Sequence, residues 1–465
     1  MHSQYQALKC ALTTPSNGRR ILLTEGKMRN HCGPQPLVYA RLCLLMVFGS
    51  MSTQGGTLTI IHTFRSTQDG TVPVGVVMGP TGVLYGATGW GGVRGHQCND
   101  YGGCGTVFSL KPPTTPGGAW TESIYTFPEE LVGFNPAGIT VGRGGAVLYG
   151  VTLGGGTCGG GIVFELSPPS PTSSWKESVL LNLCPNVNGL STPSAPLVIG
   201  SGGVPYGPNL QGDGGIFSLT PPPVEGGAWT AGIVHAFSGT DGAEPNAVAI
   251  GEGGALYGTT TIDGNASPSL GTVYSLTSPS VHGGEWIETT LHTFTAEHGD
   301  GANPYPGVLI DSGGVLYGTT LDGGTGYCIG TSCGTVFSLI PPGPSGRGSY
   351  QVIHDFGGHS NGDGSVPLGG LAGLNGVLYG TTSKGGTEAS FDCAGGDGGC
   401  GTIYSLTPPA SPGGAWTETV LFNFTGGADG YYPVGTLAVD SNGVLYGVAQ
   451  NGGEDGYGIV FSFKP

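Results

Sequence analysis

The sequence predicts an all-β protein, a seven-bladed β-propeller of four-stranded antiparallel blades. Three observations carry that reading. The tripeptide Leu-Tyr-Gly recurs around Tyr85, Tyr149, Tyr206, Tyr257, Tyr317, Tyr379 and Tyr446, and only Val-Pro-Tyr-Gly at 204–207 departs from it. The spacings run from 51 residues (206 to 257) to 67 (379 to 446), the period of a propeller or similar array. Each period holds four short segments rich in Val, Ile, Tyr, Phe and Thr, bounded by turn residues, with no uninterrupted amphipathic helix.

Residues 367–424 show the unit in order. Strand a is PLGGLAGL (367–374). Small residues follow its proline in most copies (Gly75, Gly138, Ala247, Gly369 and Gly435), as crowding at a propeller axis requires. Asn-Gly then turns the chain tightly into strand b, VLYGTT (377–382). A glycine-rich loop leads to strand c, GTIYSL (401–406), and a proline-rich link leads to strand d, WTETVLFNF (416–424). Short links make neighbouring strands antiparallel. One such sheet cannot bury both faces alone, but seven packed in a ring can.

Seven d segments are present, and the first, IIHTF (60–64), precedes every a, b and c segment. The last unit ends in strand c, GIVFSFKP (458–465), and lacks a d. The N-terminal d strand is therefore expected to pair with the C-terminal a–c strands. This three-plus-one closure removes two sheet edges that would otherwise invite aggregation.

The pattern G-x-LYGTT … GG … GT-V-F-SL … W-TE … LH-x-F … DG-x-x-P resembles the GloVer-type tandem repeat of secreted bacterial proteins, over roughly residues 57–465. The resemblance implies a secreted repeat protein. The family is known for varied C-terminal anchors, and this chain departs from it in showing none after the last strand. No activity is established for the family, so the resemblance transfers no catalytic residue.

Composition sets further bounds. Of 465 residues 95 are glycine and 35 proline, which suits a chain of many tight turns. No strict G-X-Y period exists, which excludes collagen, and 37% hydrophobic content in ordered runs argues against disorder. A net charge of −16 argues against nucleic acid or an anionic membrane as partner. Residues 1–52 read as a leader and 53–465 as one propeller domain. The leader carries Arg19, Arg20, Lys27, Arg29 and Arg41, then LCLLMVF (42–48) and GSMST, which resembles a signal peptide with Met28 as an alternative start. The apolar run is too short to span a bilayer. Eight of the 11 cysteines lie beyond the leader. They are expected to pair as Cys98–Cys104, Cys158–Cys184, Cys328–Cys333 and Cys393–Cys400, disulfides of an oxidising compartment rather than a zinc ribbon. A secreted, extracellular or periplasmic monomer is expected.

In a meander blade the b–c and d–a loops share one face. The disulfides and the least repetitive loops fall there, so function is expected there. Repetition elsewhere reads as structure. The Leu-Tyr-Gly tyrosines and Trp120, Trp175, Trp229, Trp286 and Trp416 read as packing. His62, His235, His292 and His354 share one strand-d position and read as hydrogen-bonded structural residues. The repeated Asp-Gly of Asp69, Asp241, Asp300, Asp363 and Asp429 reads as an Asx turn or, alternatively, as carboxylates for Ca²⁺; no cofactor is otherwise indicated. Trp90, Arg94, His96 and Tyr101 lack counterparts in other blades. With Phe134, Tyr305, Tyr327, Phe391, Tyr431 and Tyr432 they suit stacking on a sugar, or ordinary loop packing. His298, Asp300, His359 and Asp363 lie on consecutive d–a loops and are candidates for an acid–base or metal cluster, or solvated turn residues. No phosphate loop, nucleophile elbow, HExxH or dinucleotide fingerprint occurs. The leading expectation is a propeller that binds an extracellular ligand, a glycan. The alternatives are a carbohydrate-active enzyme (polysaccharide lyase or glycoside hydrolase) on the same face, and a structural or protein-interaction module.

Overall fold

The computed structural model describes residues 56–465, apart from 66–67, 95–97, 99–101, 116, 129–132, 171–172, 225, 263–269, 280–283, 329–330, 344–347, 388–392, 394–397 and 412. Seven four-stranded antiparallel sheets stand in a ring. Among the described residues the helical elements are short 3₁₀ turns such as Arg143–Gly145 and His359–Asn361, and no helix is long and apolar enough to cross a membrane. We number the blades 1 to 7 along the chain and letter their strands a to d from the axis outward. Blade 1 is Thr71–Met78, Leu84–Trp90, Thr106–Lys111 and Thr121–Thr126. Blade 7 takes Tyr431–Val439, Leu445–Asn451 and Ile459–Lys464 as a–c. Its fourth strand is Thr57–Thr63, which runs antiparallel to Ile459–Lys464 with Thr57 opposite Lys464 and Thr63 opposite Ile459.

The repeat motifs make contacts both within and between blades. In strand b the tripeptide glycine lies under the strand-c aromatic ring: a Cβ on Gly86, Gly150, Gly318 or Gly447 would run into Phe108, Phe164, Phe337 or Phe461. The glycine that opens strand c has φ from +90° to +100° at Gly105, Gly214, Gly271, Gly334, Gly401 and Gly458. A Cβ there would meet the ring of the next blade's first proline, Pro136, Pro245, Pro304, Pro367, Pro433 and Pro73 respectively. So Gly-Thr of one blade and the Asp-Gly-x-x-Pro of the next are two halves of one packing contact. The Gly458–Pro73 pair joins blade 7 to blade 1.

The tyrosines and tryptophans complete the junctions. The residue before strand d is Trp in five blades. Four of these rings meet edge-on the tyrosine of the preceding blade in the ring: Trp120 with Tyr446 at 6.2 Å, Trp229 with Tyr149 at 6.4 Å, Trp286 with Tyr206 at 6.0 Å and Trp416 with Tyr317 at 5.9 Å. Trp175 instead donates its indole N–H to Ser123 Oγ of blade 1 at 2.9 Å. Inside blades 1, 4, 5 and 6, buried threonines of strands b and c pair through their hydroxyls at 2.8 Å: Thr88–Thr106, Thr260–Thr272, Thr320–Thr335 and Thr382–Thr402.

Two strand-a segments differ from expectation. In blade 6 only Ala372–Leu374 of 367–374 is ladder, while Gly364–Ser365 pairs separately with Lys384–Gly385. In blade 3 the strand shrinks to Val198–Ile199. The shared proline is not the cause, since Pro73, Pro136 and Pro433 lie within full strands. Blade 3 instead carries a further proline, Pro196, without the N–H that a ladder needs, and blade 6 carries the strand-weakening pair Gly369 and Gly370. The four disulfides are those expected from the cysteine spacing, with Cα–Cα distances of 5.1–5.2 Å.

Candidate functional site

The axis holds a cavity of about 540 Å³ lined by strand a or its equivalent from every blade. The residues Val74, Ala137, Ser194, Asn246, Tyr305, Leu368 and Val434 occupy one position in blades 1 to 7 and all line it. No Asp, Glu, Lys, Arg or His is among the lining residues. Several polar groups of the wall tie one blade to the next: Ser194 Oγ donates to the Pro245 carbonyl at 2.8 Å, and Asn246 Nδ2 to the Pro304 carbonyl at 2.8 Å.

Two residues before each of these stands a non-glycine residue in the left-handed region: Val72, Asn135, Thr192, Glu244, Asn303, Val366 and Tyr432, with φ from 45° (Thr192) to 62° (Tyr432). Such a backbone costs on the order of 1–3 kcal/mol per residue and persists only where its surroundings dictate it. The dictating contact is visible. The amides of Asn135, Thr192, Glu244, Asn303, Val366 and Tyr432 hook onto the preceding blade. Asn135 donates to the Cys104 carbonyl at 2.8 Å, Val366 to Cys333 at 3.0 Å and Tyr432 to Cys400 at 3.2 Å. Those three acceptors are disulfide cysteines, so the bridges fix the loops that hold the rim. The rim side chains vary from blade to blade while the flanking Gly and Pro recur.

The sequence candidates distribute around this axis. Tyr305 lines the cavity and Tyr432 stands on the rim. Trp90 is half-buried at the end of strand b, opposite Thr71 at the start of strand a, and Arg94 is exposed. Phe134 lies over Gly154 and packs on the core between blades 1 and 2, and Tyr431 packs on the core of blades 6 and 7. Tyr327 falls in the two-residue strand Tyr327–Cys328. His96, Tyr101 and Phe391 lie outside the described residues.

The Asp-Gly carboxylates all do one job. An oxygen of Asp69 accepts from the Arg65 amide, Asp241 from Ser238, Asp300 from Thr295, Asp363 from Gly357 and Asp429 from Thr425, at 2.7–2.9 Å. Each thereby closes the turn out of strand d. Four of them also stand near the strand-d histidine. His235 Nε2 reaches Asp241 at 2.9 Å, His292 reaches Asp300 at 3.3 Å and His354 lies 3.3 Å from Asp363. His62 stands 3.1 Å from Glu122 of the next blade, beside Asp69.

That last contact exposes a pattern which sequence reasoning missed. The strand-d histidine position of one blade faces the glutamate of Trp-x-Glu in the next. The pairs are His62–Glu122 and His354–Glu418, with Tyr125 donating to Glu177 at 2.7 Å and His292 stacked on Tyr350 at 3.6 Å. Where one side is apolar so is the other: Leu181 and Ala231 share a core, as do Phe422 and Leu58. The signal was present as His in one unit accompanied by Glu in the following one. Burial, reinforced by the neighbouring Asp69 and opposed by Arg65, pushes the Glu122 carboxyl up to about 7. Burial and Asp363 do the same for Glu418, to about 7, with His354 opposing. At Asp300 burial acts upward, but hydrogen bonds from His292, Tyr350 and the Thr295 amide prevail and hold the carboxyl at about 2.

The group His298, Asp300, His359 and Asp363 is arranged differently from one cluster. The His298 side chain is 94% exposed beside Glu297, and His359 Nδ1 bonds the Gly386 carbonyl at 2.6 Å. Asp300 and Asp363 stand against His292 and His354 instead.

Residues 176–393 match the Gloeobacter/Verrucomicrobia repeat family, the repeat recognised in the sequence. No curated protein sequence matches the chain. Among solved structures, the Myceliophthora thermophila Cps50 (Swd1) β-propeller domain is similar at TM-score 0.48 and 10% identity, over 87% of this chain and 99% of that one. A Dyadobacter fermentans protein of unknown function is similar at TM-score 0.42 and 13% identity, over 88% and 97%. A Xanthomonas campestris gluconolactonase is similar at TM-score 0.35 and 11% identity, over 71% and 87%.

Proposed function

We propose that this ring, which carries the Gloeobacter/Verrucomicrobia repeat over residues 176–393, is an exported binding protein whose ligand, an uncharged segment of a glycan, docks at the axial cavity on the b–c/d–a face. The observation that carries the reading is the rim: seven strained, non-glycine residues, one per blade, above a cavity without charged lining. Backbone strain concentrates at ligand sites, and a site of about 540 Å³ has the size of small-molecule pockets. Tyr305 and Tyr432 offer ring faces to sugar C–H groups, while Asn135, Asn303 and Thr192 offer hydroxyl-binding groups. The net charge of −16 disfavours polyanionic ligands. The disulfides support an oxidising compartment.

The test is a glycan array with the purified chain, followed by calorimetry on each hit. Tyr432→Ala is expected to weaken a genuine hit by about tenfold, the loss typical of one aromatic anchor, without change in melting temperature. An array without hits, or hits indifferent to both Tyr432→Ala and Trp90→Ala, would overturn the reading. Release of new reducing ends or unsaturated products from the bound glycan would replace binding by catalysis.

A further inference from the structure

We propose that His354, Asp363 and Glu418 form a binding site for one divalent transition-metal cation of the zinc class, at the junction between blades 5 and 6. The three come from separate places in the chain. His354 lies on strand d of blade 5 (Ser349–Asp355), Asp363 on the loop that follows it, and Glu418 on strand d of blade 6 (Thr417–Asn423). Their ligand atoms nevertheless all lie within 4.8 Å of one another. Tetrahedral ligands at about 2.0–2.2 Å from zinc stand roughly 3.3 Å apart, and the 3.3 Å between His354 Nε2 and an Asp363 oxygen already has that spacing. Small rotations of Glu418 would bring in the third ligand.

The unsatisfied atoms point the same way. His354 Nε2 and Glu418 Oε1 are sealed from water, and neither makes a hydrogen bond of good geometry, although an Asp363 oxygen stands 3.3 Å from His354 Nε2. A buried polar atom without a good hydrogen bond costs about 1–3 kcal/mol, and a cation held among the imidazole and the two carboxylates would satisfy all three groups together. The fold does not require them. The junction between blades 6 and 7 is closed at the equivalent positions by Phe422 and Leu58, so an apolar pair would complete the ring as well.

The donor set selects the cation. One imidazole nitrogen with two carboxylate oxygens suits zinc and its first-row neighbours. Calcium requires six to eight oxygens, which this trio does not offer. The two related junctions are less suited. At blades 3 and 4, His235 Nε2 is already hydrogen-bonded to Asp241 at 2.9 Å. At blades 7 and 1, the Arg65 cation acts on both His62 and Glu122 and would oppose a metal.

The experiment uses the full chain stripped with a chelator, titrated calorimetrically with Zn²⁺ and separately with Ca²⁺, with melting temperature read in parallel. One Zn²⁺ per chain with micromolar or tighter affinity, and a rise in melting temperature, is expected. Glu418→Gln should weaken binding by at least about tenfold, the lower end of the loss seen even for residues supporting metal ligands. The double variant His354→Phe with Glu418→Leu copies the protein's own apolar junction and should keep the fold while losing the cation. Anomalous diffraction from a zinc-soaked crystal should place the metal between the three side chains, and this readout stands whether or not the double variant folds. No zinc binding by the stripped protein, binding undiminished in Glu418→Gln, tighter binding of Ca²⁺, or a metal located at the exposed His298 would overturn the proposal.

Discussion

Glu122 and His62 face each other across the junction of blades 7 and 1 at 3.1 Å, and their titrations favour the same state. Burial, with Asp69 adding and Arg65 opposing, raises the Glu122 carboxyl to about 7. Burial, with Asp69 opposing, lowers the His62 imidazole below its ordinary value. Both shifts favour the uncharged forms. A carboxyl raised in the folded state contributes stability below its ordinary value near 4.5, and that contribution is lost as the pH climbs through about 7. Glu122→Gln removes the ionisable group and keeps its size. The variant should therefore gain melting temperature relative to the parent as pH rises from about 4.5 to 7, with the gap constant above that. Thermal unfolding of both proteins followed at intervals from about pH 4.5 to 8.5 checks this. A gap that stays flat or narrows with rising pH would mean that Glu122 is ionised throughout.

At the scale of strands, what holds the ring together is a contact that crosses from one repeat to the next. Gly401 opens strand c of blade 6 at φ +99°, and a Cβ there would collide with the Thr382 carbonyl and the Pro433 ring. Gly413, in the c–d turn, has φ +79°, and the space that a Cβ would enter is open to at least 4 Å. Gly401→Ala combines left-handed strain with overlap and should destabilise by about 2–4 kcal/mol, whereas Gly413→Ala carries only the strain and should cost about 1 kcal/mol. Urea unfolding of the two variants separates overlap from backbone preference; equal losses would show that the Pro433 contact yields freely. The same residues explain how far the sequence could be read. The glycine and the proline are each legible because both recur, and so are the strands and the disulfides. Their meeting is not, since Gly401 and Pro433 lie in different repeats and only the ring brings them together. The rim is hidden for a related reason: Val72, Asn135, Thr192 and Glu244 share a backbone conformation but no side-chain chemistry, so no motif marks them. Strand a of blade 6 is shorter than its apolar run suggests, because Gly369 and Gly370 interrupt that run with residues that weaken a strand, whereas Pro73 and Pro433 at the Pro367 position lie within ladders.

For the whole molecule, stability depends on a strand that enters the ring from the other end of the sequence. Thr57–Thr63 hydrogen-bonds Ile459–Lys464, and Phe64 next to it is fully buried. The Phe64 ring meets Phe108 of blade 1 at 5.3 Å and shares a core with Val76, Leu84, Val448 and Val460. The segment therefore completes the sheet of blade 7 and also packs on blade 1. Removing residues 57–64 would leave the backbone of Ile459–Lys464 as an open edge and would expose apolar groups of two blades at once. Because every blade is supported by two neighbours, a gap at one junction deprives both adjoining blades of a supporting face, and the loss spreads through the ring. The deletion variant should aggregate or unfold at least about 10 °C lower, followed by circular dichroism and size-exclusion chromatography. Phe64→Ala keeps the strand and removes only the ring, and should cost about 3–5 kcal/mol as buried phenylalanines do. Supplying residues 56–65 as a free peptide should partly restore the deletion variant by occupying the open edge. A deletion variant as stable as the parent would show that blades 1 to 6 hold the ring without this strand.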